Sequence, residues 1–425
     1  NGVNIDFEGM GSADKTPFKN FMVNLKAALV AANPNYELSM ALYAVDWSGS
    51  FDIPGLNPVV DDFIIMGYDY YWSGSTTAGP ESPLYNFQTT YNYTCSKSIT
   101  YYLKAGVTPS KLLLGLPYYG REWETVGNLA PSATTGAFNS SRTYAYVKNT
   151  PGTYSAANKK WEANCFNPYY SYLSGGNWRQ CWIDDIYSMG RKYDMVNQRG
   201  IGGIGIWALG YDNGYNDYWQ LLKDKFSDCQ IKPCTDSLFD MGGPYRNYYD
   251  NESYTYTIAP NGIDKVQLQF KSFMTEQGWD TLFIYNGQTI ASPLMGAYTG
   301  STTSPGTITS TGTVVTIRFK SDISTVTTGF KIIYNCVATT SIKEQENENS
   351  LGVYPNPTTG IFEIKTNSNS EVKVKIFNSI GEIVFESANS EKIIDLSNLN
   401  LNSGIYFVEI NSAVQKVVKK LVYQK

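Results

Sequence analysis

Two patterns of apolar and polar residues divide this 425-residue chain. Up to about residue 228, short apolar runs such as DFIIMGY and KLLLGLPYYG alternate with longer helix-like stretches such as FKNFMVNLKAALVAA and DDIYSMGRKYDMVNQ. Continuous apolar runs suit strands buried on both faces, so their alternation with helices predicts a parallel α/β sheet. The runs place five strands at about 2–7, 37–43, 63–68, 112–117 and 203–208. Between the fourth and fifth, residues 119–181 are polar and Tyr-rich and too long for a loop, which predicts an inserted subdomain.

From Cys234 the pattern changes to period-two alternation broken by Gly, Asn and Thr turns: SYTYTIAP, KVQLQFKSF, DTLFIYNG, TVVTIRFKS and GFKIIYNC. That predicts an antiparallel β-sandwich over 234–336. Residues 337–351 are polar, charged and poor in apolar side chains and read as a linker. A last β-rich unit fills 352–425.

Composition narrows the chemistry. The chain has no histidine, which removes Ser-His-Asp and Cys-His catalysis and most metal sites, and leaves carboxylates to run any hydrolysis. A net charge of −5, with both signs interspersed, gives no footprint for nucleic acid. No stretch approaches the roughly 20 apolar residues that span a bilayer. Aromatic residues make up 15% of the chain, enough for both core and sugar-stacking platforms. Six cysteines without C-x-x-C spacing suggest disulfides and an oxidising compartment, with Cys165–Cys181 and Cys234–Cys336 the expected pairs.

The opening stretch NGVNIDFEG carries the most chemistry. On a strand Asn4, Asp6 and Glu8 share one face, while Val3, Ile5 and Phe7 take the other. Such alternation also suits a plain solvated edge strand. Other strand ends agree with a site, however. IIMGYDYYW ends in Tyr68 and Asp69, LLLGLPYYGREW in Tyr118 and Arg121, and GIGIWALGYD carries Trp207. The C-terminal ends of parallel barrel strands are where barrel enzymes place their sites.

These residues together resemble the family 18 glycoside hydrolases, the chitinase family. Asn1 to Glu8 match the family's D-x-x-D-x-D-x-E with Asn at the first two Asp positions; Met66, Tyr68 and Asp69 match its Met-x-Tyr-Asp, and Trp207 its sugar-flooring Trp. The resemblance implies a partial (β/α)8 TIM barrel, strands four to eight, over 1–228, with an α+β insertion at 119–181. It makes the first strand the fourth of eight and so implies an N-terminal truncation. It implies substrate-assisted retaining cleavage of β-1,4-linked N-acetylglucosamine polymers such as chitin, with peptidoglycan or N-glycan cores as alternative substrates and a non-catalytic chitin-binding lectin as the rival of another class.

In that scheme Glu8 is the general acid/base, Asp6 orients the substrate's acetamido group and Tyr68 donates to it. Asn4, Met66, Asp69, Tyr118, Arg121 and Trp207 bind substrate. Packing also suits Met66 and Trp207, bracing of the insertion suits Tyr118 and Arg121, and a structural hydrogen bond suits Asp69. A free glutamate ionises near pH ~4.3, so the acid role calls for burial of Glu8 and the charge of Asp6. Asn4 is expected to hydrogen-bond Asp6 and to alter the acidic limb of the pH profile.

Residues 234–336 resemble a CUB domain, whose relatives in some cases hold calcium; Glu276, Asp280 and Asp322 are candidate ligands here, though solvated turn acids read the same way. No other metal or cofactor is expected. Residues 352–425, with YPNPTTG, GIYFVEI and KKLVYQK, resemble the C-terminal sorting domain of type IX secretion. That implies a protein in the medium or on the cell surface, with the secretion machinery and a polysaccharide as partners.

Overall fold

Every second residue along Glu37–Leu42, Asp62–Met66 and Leu112–Pro117 is fully buried, among them Leu38, Met40, Phe63, Ile65, Leu112 and Leu114. In this computed structural model, which describes residues 2–87, 93–227, 234–260, 264–301, 304–338, 352–365, 371–387, 391–412 and 416–425, they form the centre of a parallel sheet. Its spatial order is Gly2–Ile5, Glu37–Leu42, Asp62–Met66, Leu112–Pro117 and Gly203–Trp207. All four pairings are parallel. All five expected strands are present, and four stop one or two residues early, where the chain turns into the loops above the sheet.

Close approach sets two of the residue choices. A Cβ on Gly67 would lie 2.5 Å from the carbonyl oxygen of Gly115, and one on Gly115 2.5 Å from that of Ile65. Helices Lys15–Ala32, Cys95–Ala105, Ile186–Arg199 and Asp217–Phe226 make or follow the crossovers. Their ends follow capping rules. The Thr94 side chain accepts from the Lys97 N–H, and Asp185 forms a capping box with Ser188 before the helix that ends at left-handed Gly200.

The Tyr-rich stretch is a subdomain of its own. Strands Ser132–Thr143, Tyr119–Thr125, Asn177–Trp182, Asn167–Ser174 and Lys159–Glu162 lie side by side, with Thr77–Ala78 at the edge. The expected Cys165–Cys181 bridge does not form; both thiols are free and buried. The reason is packing. Cys165 sits among Tyr71, Phe87, Trp123 and Trp182, whereas Cys181 packs with Val147, Tyr154 and Ile183 in a separate cluster. Cys95 is also free and buried, and Cys229 lies outside the described residues.

Residues 235–337 form two four-stranded antiparallel sheets facing each other, closed by Cys234–Cys336 with Cα atoms 5.0 Å apart. This sandwich shares one hydrophobic core with the parallel sheet and its helices: Phe239 packs on Tyr85 and Phe166 across the boundary. Ion pairs frame the contact. Arg191 meets Asp236 and Arg199 meets Glu252, each at 2.5 Å, and Lys104 meets Asp250 at 2.6 Å. The chain from 340 onward is a second compact unit, built from a three-stranded and a four-stranded sheet around Phe362, Val374, Ile376 and Val408. Most of the expected linker, from 339 to 351, lies outside the described residues.

Candidate active site

Asp6 and Glu8 stand on the turn that leaves the strand Gly2–Ile5. Tyr43 and Ser50 hold that turn. The Met10 N–H donates to the Tyr43 hydroxyl at 2.9 Å, this hydroxyl donates to the Phe7 carbonyl at 3.3 Å, and Ser50 Oγ donates to the Met10 carbonyl at 2.9 Å. Both acids are exposed, so the burial expected for Glu8 is not found. Among the described residues the strand that leads to them pairs on one side, with Glu37–Leu42. Asn4 does not turn to Asp6; its Nδ2 donates to Ser39 Oγ at 3.0 Å. Asn1 lies outside the described residues.

Around the acids runs a groove with a cavity volume of about 630 Å³. Met66, Tyr68 and Asp69 reach it from the end of Asp62–Met66, and Trp207 from the end of the last strand. The Tyr68 and Trp207 rings are stacked with centroids 6.3 Å apart, and Trp207 keeps 49% of its surface open, a flat face offered to a ligand. Burial, then the charges of Asp6, Asp69 and Glu8, push the Tyr68 phenol well above the usual range, so it stays a hydrogen-bond donor. Asp6, Glu8, Tyr68, Asp69, Met66 and Trp207 therefore share one cleft, although they come from three strand ends.

Three of the expected substrate-binding residues do not line the groove: Asn4, on the strand Gly2–Ile5, Tyr118 and Arg121. Tyr118 is fully buried on the other face of the sheet, its ring 4.5 Å from that of Tyr218 and its hydroxyl 3.4 Å from that of Tyr193. One residue on, Tyr119 lines the groove in its place and donates to Asp69 Oδ1 at 3.1 Å. Chain alternation explains the exchange, since neighbours on extended backbone point to opposite faces. Arg121 stands behind the groove wall between two carboxylates, 3.6 Å from Asp69 and 3.8 Å from Glu81.

Residues 1–212 match the family model described as Glycosyl hydrolases family 18. This segment belongs to glycosyl hydrolase family 18. In the family 18 frame the five parallel strands are the partial barrel wall and the Tyr-rich sheet its insertion. Among curated relatives, the chain is 26% identical over 238 residues to the cortical fragment-lytic enzyme of Bacillus anthracis, covering 53% of this chain and 49% of that one. It is 26% identical over 240 residues to chitinase C of Streptomyces lividans, covering 52% and 37%. The chain thus spans about half the length, or less, of these relatives. Similar solved structures include a family 18 N-acetylglucosaminidase from Paenibacillus barengoltzii (20% identity, TM-score 0.47, 53% of this chain and 70% of that one). A second is a class V chitinase from Nicotiana tobaccum (22% identity, TM-score 0.47, 54% and 69%).

Residues 232–334 match the CUB domain model, and 352–424 match the secretion system C-terminal sorting domain. The sorting domain addresses the chain to the exterior or the cell surface, and no helix among the described residues is long and apolar enough to cross a membrane. In the CUB domain Glu276, Asp280 and Asp322 each bring a carboxylate oxygen within 4.8 Å of the other two. Partial burial and the carboxylates of Asp322 and Asp280 raise the Glu276 carboxyl above its usual range, and its Oε2 is buried with no hydrogen-bond partner among the described residues. Hard oxygen donors that repel one another suit a divalent cation.

Sequence reasoning did not single out Trp47, Trp72, Tyr93 or Glu81. The first three extend the groove away from Trp207 as an aromatic slot, with the Trp47 and Tyr93 rings 4.6 Å apart. Their signal was in plain view: VDWSG and YDYYW each put a Trp just past a strand end.

Proposed function

We propose that the family 18 segment hydrolyses β-1,4 links next to N-acetylglucosamine in chitin or chito-oligosaccharides. The observation that carries this reading is the convergence of Asp6, Glu8, Tyr68 and Trp207 on one groove. Glu8 gives its proton to the glycosidic oxygen as that bond breaks. The substrate's own acetamido oxygen attacks the anomeric carbon, forming an oxazolinium. Asp6 accepts a hydrogen bond from the acetamido N–H and offsets the growing positive charge, and Tyr68 donates to the acetamido oxygen. Glu8, now ionised, takes a proton from water as that water opens the ring, which returns the enzyme to its starting state with retained configuration. Trp207 floors the reacting sugar.

Mass spectrometry of chitohexaose incubated with the full-length protein and its Glu8→Gln variant tests this. The expected result is cleavage that falls by roughly 10²–10⁴-fold in the variant, the usual worth of a positioned proton donor. Binding without cleavage in the wild type would make the groove a lectin site. Peptidoglycan glycan strands are the second substrate considered, tested by incubating them in place of chitohexaose and reading the masses of any released fragments.

Glu276, Asp280 and Asp322 are the residues that would hold calcium in the CUB domain, where the ion would neutralise three converging carboxylates. Calcium is expected to raise the melting temperature of the protein, and Asp322→Ala to abolish that rise in a thermal-shift series; a wild-type curve unmoved by calcium would remove the site.

A further inference from the structure

Behind the groove wall lies a carboxyl group that the mechanism above does not use. Glu81 is 2% exposed, and its carboxyl group faces the Asp69 carboxyl and the Tyr119 hydroxyl in hydrogen-bonding positions. Its backbone is fixed, since its carbonyl accepts from the Tyr70 N–H at 3.2 Å and the next residue, Ser82, donates its hydroxyl to the Gly67 carbonyl. The titratable and charged groups facing it are Asp69 on the groove loop, Arg121 and Tyr119 on the strand Tyr119–Thr125, and Cys181 on Asn177–Trp182.

Charge counting then decides which state this cluster takes. One guanidinium, that of Arg121, stands between two carboxyls, 3.6 Å from Asp69 and 3.8 Å from Glu81. Two carboxylates beside a single cation, one of them out of reach of water, cannot both keep a charge cheaply. The Asp69 side chain is 51% exposed at the groove, where water solvates its charge, whereas the Glu81 side chain is 2% exposed. Burial and then Asp69 drive the Glu81 carboxyl well above its usual range, which agrees with this division.

We propose that Glu81 is a positioning residue that carries a proton at neutral pH, leaving the Arg121 charge to Asp69 and so holding Asp69 and Tyr119 in the groove wall. Loss of that proton makes Glu81 compete for Arg121. Asp69, which sits at a φ of 55° in the left-handed region, then loses its cation, and the Tyr119 hydroxyl that donates to it loses its anchor. The groove wall loosens, and saccharide affinity falls. This inference rests on the saccharide reading of the groove, but its first test does not.

Infrared spectroscopy of wild type against Glu81→Gln at neutral pH is expected to show a protonated-carboxyl C=O band that the variant lacks, and a band that bleaches in the wild type as pH rises. A carboxylate band for Glu81 at neutral pH would overturn the proposal whatever the groove binds. Chitotetraose affinity, read by tryptophan fluorescence against pH, tests the positioning role. Wild type should lose up to about tenfold per pH unit above the Glu81 ionisation, the slope of one coupled proton, while Glu81→Gln, which cannot ionise, stays flat across that range. Identical pH profiles for the two proteins would sink the positioning role. A protein that binds no chitotetraose at any pH, yet shows the carboxyl band, would instead overturn the saccharide reading and leave the proton assignment standing.

Discussion

Trp207 shows how one side chain is placed for work rather than for stability. A Trp at the end of a barrel strand could fill the barrel, yet this one leaves 49% of its surface open and faces Tyr68 across the cleft. On the proposed mechanism its loss removes the apolar floor of the reacting sugar. Burial of a large apolar side chain is worth about 1.5–3 kcal/mol, so Trp207→Ala should lower kcat/KM on chitohexaose by roughly 10- to 150-fold. Steady-state kinetics decide it, and an unchanged kcat/KM would return Trp207 to the role of filler. The motif around it was readable because the residue type and its place after an apolar run coincide. Tyr118 was misread for the opposite reason: in GLPYYG two tyrosines stand side by side, and only the backbone path says which faces the groove.

At the scale of elements, the helix Lys15–Ala32 and the strands around it are joined through one carboxylate. Asp61 accepts from the Lys26 ammonium at 2.5 Å and from the Leu38 N–H at 2.7 Å, while Lys26 also donates to the Tyr36 carbonyl at 3.1 Å. Burial opposes the charge on Asp61, but the hydrogen bonds from Lys26 and Leu38 and the charges of Lys26 and Lys111 outweigh it, and its carboxyl lies below the usual range. A depressed acid stabilises the fold above its unfolded value of about 3.9 and loses that contribution as pH falls through the folded value. Asp61→Asn should therefore melt lower than wild type at neutral pH, with the gap closing as pH drops below about 4. Calorimetry from pH 3 to 7 tests this; a gap constant with pH would mean that the charge contributes nothing. None of this contact was legible from the sequence. The strands and helix were, because apolar periodicity is local, but which lysine meets which aspartate depends on a parallel register that spacing does not encode.

The whole molecule brings a further decision. The CUB sandwich and the family 18 segment read as separate grammars, and their sequence gives no sign that they share a core. In the structure Glu252 of the sandwich, 2% exposed, accepts from Arg199 at the end of the helix Ile186–Arg199 at 2.5 Å and from Thr100 of Cys95–Ala105 at 3.3 Å. Removing one member of a buried ion pair strands the other, at a cost of about 3–5 kcal/mol. Glu252→Ala is thus expected to shift one joint calorimetric transition of both domains to lower temperature. Two transitions, of which one alone moves, would mean that the two domains unfold independently.

What the sequence by itself determined is what neighbours along the chain control: the five strands, the change from helix-covered to sandwich pattern, the absence of histidine chemistry and the motif residues Asp6, Glu8, Tyr68 and Trp207. Periodicity and residue type act within a few positions along the chain, so they are legible in the sequence itself. The tertiary structure decided the rest: Tyr119 in place of Tyr118, free thiols where a bridge was expected, the burial of Glu81 behind Asp69, and a CUB domain packed into the same core. Each of these turns on the distance between residues far apart in sequence, which only the packed chain sets.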